Sequence, residues 1–418
     1  MNAIDPATTA TIRPDESLAR VPFTAYTDAA IYARELERIF YGPHWCYVGL
    51  AAEVPKPGDF KRTFVGERQV VMVRDTGGTI RVVENRCAHR GMQFCQANFG
   101  NVPDFRCPYH QWNYDLEGNL TGVPYRRGVK KQGGMPADFK LEQHGLNKLQ
   151  VAVHNGVVFA SFDPAVPAFA DYLGPDVLKY FERVFPDPAA GREITLLGYS
   201  RQRIPGNWKL MQENIKDPYH PGLLHVFFVT FGLWRPDQQS HMITDAQHRH
   251  ACMISQRNAA AAGEATQGVS TFRENLKLQD DRILDVVTEP WWGGPTVCMT
   301  TIFPALIVQQ QVNSLSTRHI IPRGTGTFDF VWTHFGYSDD DDAMRRRRLR
   351  QANLFGPAGY VSADDGEVIE CVQRGAAPHD SEGTFNAMDG YGVGGADHMV
   401  TEALIRGMYQ YWRRVMDV

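Results

Sequence analysis

The period of the apolar residues changes several times along the chain, and those changes divide it. Residues 1–20 carry no sustained apolar run and read as a polar arm. From Tyr26 to Phe40 the residues Ile31, Leu36, Ile39 and Phe40 share one helical face, and Gly42-Pro43 ends that helix. Short β-like runs follow at Trp45–Leu50, Asp59–Phe64, Gln69–Arg74 and Ile80–Glu84, with Gly77-Gly78 as a hairpin turn between the last two. The same texture closes at Leu149–Val153 and Gly156–Phe162, so residues 42–165 read as a small all-β domain. Helical spacing resumes from Phe169 to Phe185, and Glu193–Arg203 alternates like a strand. The alanine- and glycine-rich stretch Asn258–Gly268 predicts a loop or lid, and Trp291–Pro295 a turn.

Thr296–Gln311 reads as strand sequence broken at Pro304, and Thr327–Tyr337 as a further strand. Within Leu306–Ser314, Gln309 and Gln311 alternate away from Val308, Gln310 and Val312, so one glutamine face must meet polar partners or a ligand. Ser338 is placed to cap a helix opened by Asp339–Asp342 and continued by Arg345–Arg348, a solvated start with i,i+4 ion pairs. A break at Phe355–Gly359, a helix beginning near Val361, an irregular stretch over 376–398 and an amphipathic helix at Thr401–Val415 complete the chain. The class is α+β. Residues 1–41 form an arm and a helix packed on the larger domain, 42–165 the all-β domain and 166–418 the larger one.

Composition narrows the function. The chain has 418 residues, 43% hydrophobic, and a net charge of −4, which describes an ordinary globular protein and argues against a nucleic-acid binder. Met1–Arg20 lacks the apolar core of a signal peptide, and no stretch approaches a membrane span in length. The cysteines, Cys46, Cys87, Cys95, Cys107, Cys252, Cys298 and Cys371, are odd in number and scattered. That predicts reduced thiols in a cytoplasm, with any special cysteine working on metal.

Two constellations carry chemistry. Cys87-Ala88-His89 is followed, after seventeen intervening residues, by Cys107-Pro108-Tyr109-His110. Two cysteines and two histidines could hold zinc. Each half, however, runs cysteine then histidine, which suits a [2Fe–2S] cluster with thiolates on one iron and imidazoles on the other. Cys95 has no partner histidine and reads as a buried small residue. Trp112 either covers the cluster or is an ordinary core tryptophan. The basic run Tyr125–Lys131 reads first as a solvated loop and second as a dock for an acidic redox partner.

The second constellation is Asn207–His225, with His220 and His225 five residues apart. Pro221-Gly222 lets the chain bend after His220 and re-aim His225. Asp217, three residues before His220, shares its face if the segment is helical and reads as a carboxylate that orients the imidazole. Two histidines and one carboxylate make a facial triad for non-haem Fe(II). The missing carboxylate is placed at Asp364-Asp365; the residues alone do not choose between them, since one can bind metal while the other pairs.

The cluster motif, Glu213-Asn214-x-x-Asp217-x-Tyr219-His220-x4-His225 and the distal Asp364-Asp365 together resemble the large (α) subunits of Rieske non-haem iron aromatic-ring-hydroxylating oxygenases, from about Arg20 to Val418. The resemblance implies a Rieske β-domain plus a catalytic domain whose curved antiparallel sheet is wrapped by helices, a helix-grip, START-like arrangement. It implies one [2Fe–2S] cluster on Cys87, His89, Cys107 and His110 and one mononuclear iron on His220, His225 and Asp365. O2 is co-substrate, with NAD(P)H electrons arriving through a reductase and a ferredoxin. It further implies an α3β3 hexamer with a small (β) subunit, in which His110 of one subunit meets Asp217 of the next. Gln111 departs from the family pattern, where glycine commonly follows the cluster histidine, and is expected to alter a turn but not the ligation.

Within the family, Arg203–Lys209, Pro290–Gly294, Gln309–Ser314 and Ser362–Glu367 are most similar to members that convert salicylate to gentisate. Terephthalate, anthranilate or another substituted benzoate is the alternative substrate, and a non-catalytic Rieske electron carrier the alternative class. Arg318 is a candidate anchor for one carboxylate. Met399 stands where a second arginine would align, which favours a single-carboxylate acid. Asn214 is expected near the open side of the iron, with Gln311 and Ser362 as polar contacts of the aromatic acid and Met253 and Met299 as apolar walls.

Overall fold

The computed structural model describes residues 18–235, 237–256 and 275–418; the predicted lid Asn258–Gly268 lies outside the described residues. The chain forms two compact units, residues 40–167 and a second made of the N-terminal segment together with residues 168–418.

The first unit is all-β, with three small antiparallel sheets. β1 (Cys46–Leu50) pairs with β10 (Val157–Ser161), which pairs with β9 (Gln150–His154). β2 (Asp59–Val65), β3 (Arg68–Arg74) and β4 (Ile80–Glu84) form a meander to which the short β5 (Phe99–Asn101) adds. β6 (Phe105–Arg106), β7 (Asn113–Tyr114) and β8 (Leu120–Gly122) make the third sheet. Val71, Val73, Phe94, Phe105, Trp112 and Tyr114 pack with Cys87 and Cys107 into one buried cluster. The two cysteines are thus set by the core itself.

The second unit is built on a seven-stranded sheet. Its strands are β11 (Ile194–Ile204), β12 (Gln239–Thr244), β13 (Ala251–Gln256), β14 (Val297–Ile302), β15 (Leu306–Gln311), β16 (Ser314–Pro322) and β17 (Phe328–Tyr337). They lie in the order β11-β17-β16-β15-β14-β13-β12, every pair antiparallel. The predicted strand break at Pro304 is the turn between β14 and β15. Helices α1 (Thr24–Thr27) and α2 (Ala29–Glu35) sit in this unit, followed by a π-helical turn at Leu36–Phe40. The predicted helix over Phe169–Phe185 is two helices, α3 (Phe169–Leu173) and α4 (Pro175–Val184), parted by Gly174 at φ 73°. Next come α5 (Trp208–Ile215), α6 (Pro221–Leu224), α7 (Val226–Thr230), α8 (Asp342–Phe355), α9 (Ser362–Ala376) and α10 (Ala403–Met416). Among the described residues no helix is long and apolar enough to cross a membrane.

Two expectations at α8 are corrected. Its cap is Asp341, whose Oδ1 accepts the Met344 N–H at 2.7 Å, and not Ser338. The arginine run is not wholly solvated either. Arg345 and Arg346 pair with Asp342 at the surface, but Arg348 is 1% exposed. It donates to Asp340 and Glu289 at 2.7 Å and to the Asn313 carbonyl at 2.7 Å. Its partners lie elsewhere in the chain, so local spacing could not show them. Among the described residues, removing the cation would leave the buried Asp340 without an ion pair and Glu289 with only Arg192, at 3.6 Å. Arg348→Met is therefore expected to cost about 3–5 kcal/mol in urea unfolding, with Arg346→Ala unchanged; equal effects would contradict the buried staple.

Candidate iron centres and substrate cavity

In the first unit the two ligand loops share one hydrogen-bonded frame. After β4, the Cys87 N–H donates to the Met92 carbonyl at 2.8 Å and the Gly91 N–H to the Cys87 carbonyl at 2.9 Å. Between β6 and β7, the Cys107 N–H donates to the Trp112 carbonyl at 2.9 Å and the Gln111 N–H to the Cys107 carbonyl at 2.9 Å. The frames superpose in sequence, and Gln111 holds the place of Gly91. Both have positive φ, 73° for Gly91 and 57° for Gln111. The expected alteration of the turn is therefore absent: Gln111 adopts the left-handed conformation itself, at a cost of about 1–2 kcal/mol.

The loops bring all four predicted cluster residues together. The His89 and His110 rings have centroids 4.6 Å apart. Cys87 and Cys107 are buried, and burial together with the neighbouring Cys87 sulfur pushes the Cys107 thiol up. Cys87 Sγ lies 3.2 Å from the Tyr114 hydroxyl, and His89 Nδ1 is buried without a hydrogen-bond partner. Adjacent buried thiols and an orphaned imidazole nitrogen suit an iron–sulfur cluster. Trp112 stacks on His89 at 4.8 Å with 4° between the rings, covering the site and sitting in the core at once. Cys95 is buried in the same core cluster as Cys87 and Cys107, and its Sγ lies 3.5 Å from the Ala97 carbonyl. The basic run Tyr125–Lys131 is largely exposed.

In the second unit the ligand atoms offered by His220, His225 and Asp365 all lie within 4.8 Å of one another. Asp365 Oδ1 is 3.2 Å from His225 Nε2 and 3.6 Å from His220 Nε2. Two ligands at right angles on a metal, each about 2.1 Å from it, stand about 3 Å apart, so the three groups suit a metal ion with little movement. Burial alone would raise the Asp365 carboxyl, but the two imidazoles hold it well below the usual carboxylate range. Burial lowers His220, while Asp217 and Asp365 outweigh it and push it up to about 10. A buried carboxylate beside two imidazole nitrogens is a donor set that fits a metal cation.

Each ligand has a support. Asp364 faces away from Asp365 on α9, and its Oδ2 lies 3.3 Å from His225 Nδ1. Asn214, the last full turn of α5, donates its Nδ2 to Asp365 Oδ1 at 3.1 Å; its own Oδ1 is buried and unpaired. Asp217 Oδ1 accepts the Tyr219 and His220 N–H groups at 2.8 and 3.2 Å, and its Oδ2 lies 3.5 Å from His220 Nδ1. Asp217 and His220 do not share a helix face, because α5 ends at Ile215 and Pro218 bars its continuation. The carboxylate instead folds the chain into a turn that delivers the imidazole. The predicted bend after His220 is also displaced. His220 is helical at φ −69°, ψ −32°, Pro221 opens α6, and the chain breaks at His225, with φ −89° and ψ 82°. Gly222 serves a different purpose: a Cβ there would stand 1.8 Å from the Trp234 ring.

Above the triad lies a cavity of about 680 Å³, its mouth included. A cross-strand row runs from Met242, Met253 and Met299 in its lining on to Gln309, Ser316 and His334 behind it, so the sheet passes from apolar to polar. Met253, Met299, Gln311, Arg318, Asn214 and Met399 all line it. Arg318 is 2% exposed, lies 4.0 Å over the Trp332 ring and has a buried Nε with no hydrogen-bond partner. Burial pulls its guanidinium down to about 9, with Asp365 pulling the other way. Ser362 is not brought to the cavity lining: its hydroxyl donates to Gln202 Oε1 at 3.1 Å. The sequence reading missed Phe228, Leu233 and Trp234, which close the apolar side; all three sit in an apolar run that helical periodicity alone assigns to core.

Comparison with known proteins decides the family. Residues 44–133 match the Rieske [2Fe-2S] domain, and residues 182–418 match the ring hydroxylating alpha subunit catalytic domain. The chain belongs to the Rieske ring-hydroxylating oxygenase alpha subunits. It is 63% identical over 408 residues, 96% of each chain, to the salicylate 5-hydroxylase large oxygenase component of a Ralstonia species. It is 42% identical over 406 residues, 96% of this chain and 95% of the relative, to the anthranilate 1,2-dioxygenase large subunit of Burkholderia cepacia. Its fold matches naphthalene 1,2-dioxygenase from a Rhodococcus species bound to indole with a TM-score of 0.78 at 26% identity, covering 95% and 94% of the two chains. The family carries a [2Fe–2S] cluster and a mononuclear iron, and both donor sets above fit those groups.

Asp365→Ala is expected to lose the mononuclear iron while the cluster keeps its visible absorption, read by metal analysis beside the spectrum. Asp217→Ala is expected to keep cluster and iron and to lose turnover; retained turnover would remove Asp217 from the working site.

Proposed function

We propose that the chain is the terminal oxygenase that hydroxylates salicylate to gentisate, placing oxygen on the ring carbon para to the phenol. The observation that supports this best is Arg318, a buried cation with an unpaired Nε at the polar end of a methionine-walled cavity beside the triad. A buried cation with no carboxylate in ion-pair contact among the described residues favours an anion, and a ring acid supplies one carboxylate there while its ring occupies the apolar end. Met399, in the lining, offers no charge to a second carboxylate.

The residues divide the work as follows. Arg318 holds the carboxylate and so fixes which ring carbon faces His220, His225 and Asp365. Met253 and Met299 bound the ring. Asp217 and Asp364 orient the two imidazoles, and Asn214 holds the carboxylate oxygen of Asp365. Iron on the triad supplies O2 activation beside the bound ring. The overall change takes salicylate, O2, two electrons and two protons to gentisate and water. The electrons come from NAD(P)H through a reductase and a ferredoxin to the cluster on Cys87, His89, Cys107 and His110. They pass to the triad of a neighbouring subunit in an α3β3 hexamer with a small subunit. None of the seven cysteines is in a disulfide, and a cytoplasmic place for the protein suits such thiols.

A single turnover tests the reading: reduced, iron-loaded protein mixed with salicylate and O2 yields gentisate. Absence of any hydroxylated product, with iron bound and the cluster reduced, overturns salicylate as substrate, and formation of product from anthranilate or terephthalate in the same assay names the replacement. Arg318→Leu is expected to raise the apparent KM about tenfold or more; an unchanged KM removes Arg318 from the pocket.

A further inference from the structure

The amides at the polar end of the cavity are locked in one direction. Gln309 is fully buried and does not line the cavity. Its Oε1 accepts from Arg318 Nη2 and, at 3.3 Å, from Ser316 Oγ. Arginine can only donate, so the Gln309 amide must keep its oxygen toward Arg318 and its nitrogen on the other side. That nitrogen donates to Gln311 Oε1 at 2.8 Å. The Gln311 oxygen is thereby engaged. No residue among those described takes a hydrogen bond from Gln311 Nε2, and Gln311 is in the cavity wall. The cavity's polar end therefore presents hydrogen-bond donors: the Gln311 amide nitrogen and the Arg318 guanidinium.

We propose that Gln309 is a positioning residue that fixes Gln311 with its NH2 toward the substrate, so that the site selects benzoates whose ortho group accepts a hydrogen bond over those whose ortho group donates one. This rests on the aromatic-acid reading of the cavity. In salicylate the phenol hydrogen is turned into the neighbouring carboxylate, which leaves oxygen lone pairs facing outward. In anthranilate one amino hydrogen makes the same internal contact, and the second N–H points outward, into another donor. An aryl nitrogen lone pair is drawn into the ring and accepts poorly. A buried donor facing a donor leaves both unsatisfied. The 63% identical relative is a salicylate hydroxylase and the 42% identical one an anthranilate dioxygenase, so the two acids are the natural probes.

The test measures anaerobic binding of benzoate, salicylate and anthranilate to the holoenzyme by calorimetry. Benzoate lacks an ortho group and reports the carboxylate anchor alone. Wild type is expected to bind salicylate about tenfold or more tighter than anthranilate. In Gln309→Glu the introduced carboxylate accepts from both neighbours. Gln311 then turns its NH2 toward it and its oxygen into the cavity. Anthranilate should become the tighter ligand of the two, while benzoate weakens because Arg318 is now paired. A salicylate-to-anthranilate ratio unchanged from wild type, in a variant that still binds benzoate, overturns the proposal. If Gln309→Glu does not retain iron, Gln311→Leu decides: salicylate affinity falling to that of benzoate supports the proposal, and an unchanged salicylate-to-benzoate ratio overturns it. Failure of wild type to bind benzoate at all, or benzoate binding indifferent to Arg318→Leu, instead overturns the underlying aromatic-acid reading.

Discussion

One buried carboxylate constrains most of the larger unit. Asp365 is 3% exposed and lies within 3.2 Å of one imidazole and 3.6 Å of another. A lone anion in such a place is costly, and the fold offers it three polar neighbours and room for a cation. Those neighbours arrive from separate elements. Asp365 rides on α9, Asn214 ends α5, and the two histidines bracket the short α6. Holding them in register requires α5 and α9 to be fixed against the same face of the sheet. Gln212 ties α5 to the Pro304 carbonyl at 3.0 Å, and Ser362 ties α9 to Gln202 of β11 at 3.1 Å. Ser362 thus matters to the metal through the helix that carries Asp365.

The sheet supplies the second constraint. Because paired residues of antiparallel strands share a face, the sheet side of the cavity is written across β12 to β16 and not along any one strand. Methionines at one end give an adaptable apolar surface. The glutamines, Ser316 and Arg318 at the other give fixed polarity. The opposite face of β15 is satisfied independently: Gln310 Oε1 accepts from Arg183 Nη1 at 2.6 Å and its Nε2 donates to the Thr296 carbonyl at 2.9 Å. The polar partners expected for a glutamine face are therefore found on both faces, one structural and one turned to the cavity.

Much of this was legible in the sequence because it is local. Cys-x-His and Cys-x-x-His spacing marked the two loops that meet, period-two runs marked most of the strands, and the paired aspartates marked the helix that brings Asp365 to the two histidines, the choice between them resting on the family resemblance. What escaped depends on distant partners or on backbone detail. Arg348 looked like its exposed neighbours because Glu289 and Asp340 are not adjacent to it in sequence. Gly222 looked like a hinge, whereas its missing side chain makes room for Trp234. Asp341 and Ser338 are both good caps, and only the observed bond to Met344 separates them. The direction of the Gln309 and Gln311 amides is set by Arg318 on another strand, and no spacing rule contains it.

The most direct measurement is a crystal structure of the anaerobic Fe(II) protein with salicylate bound. The account predicts iron on His220, His225 and Asp365, the carboxylate within hydrogen-bond distance of Arg318, and the ring carbon para to the phenol nearest the metal. A salicylate carboxylate bound to the iron, with Arg318 left unpaired, would contradict it.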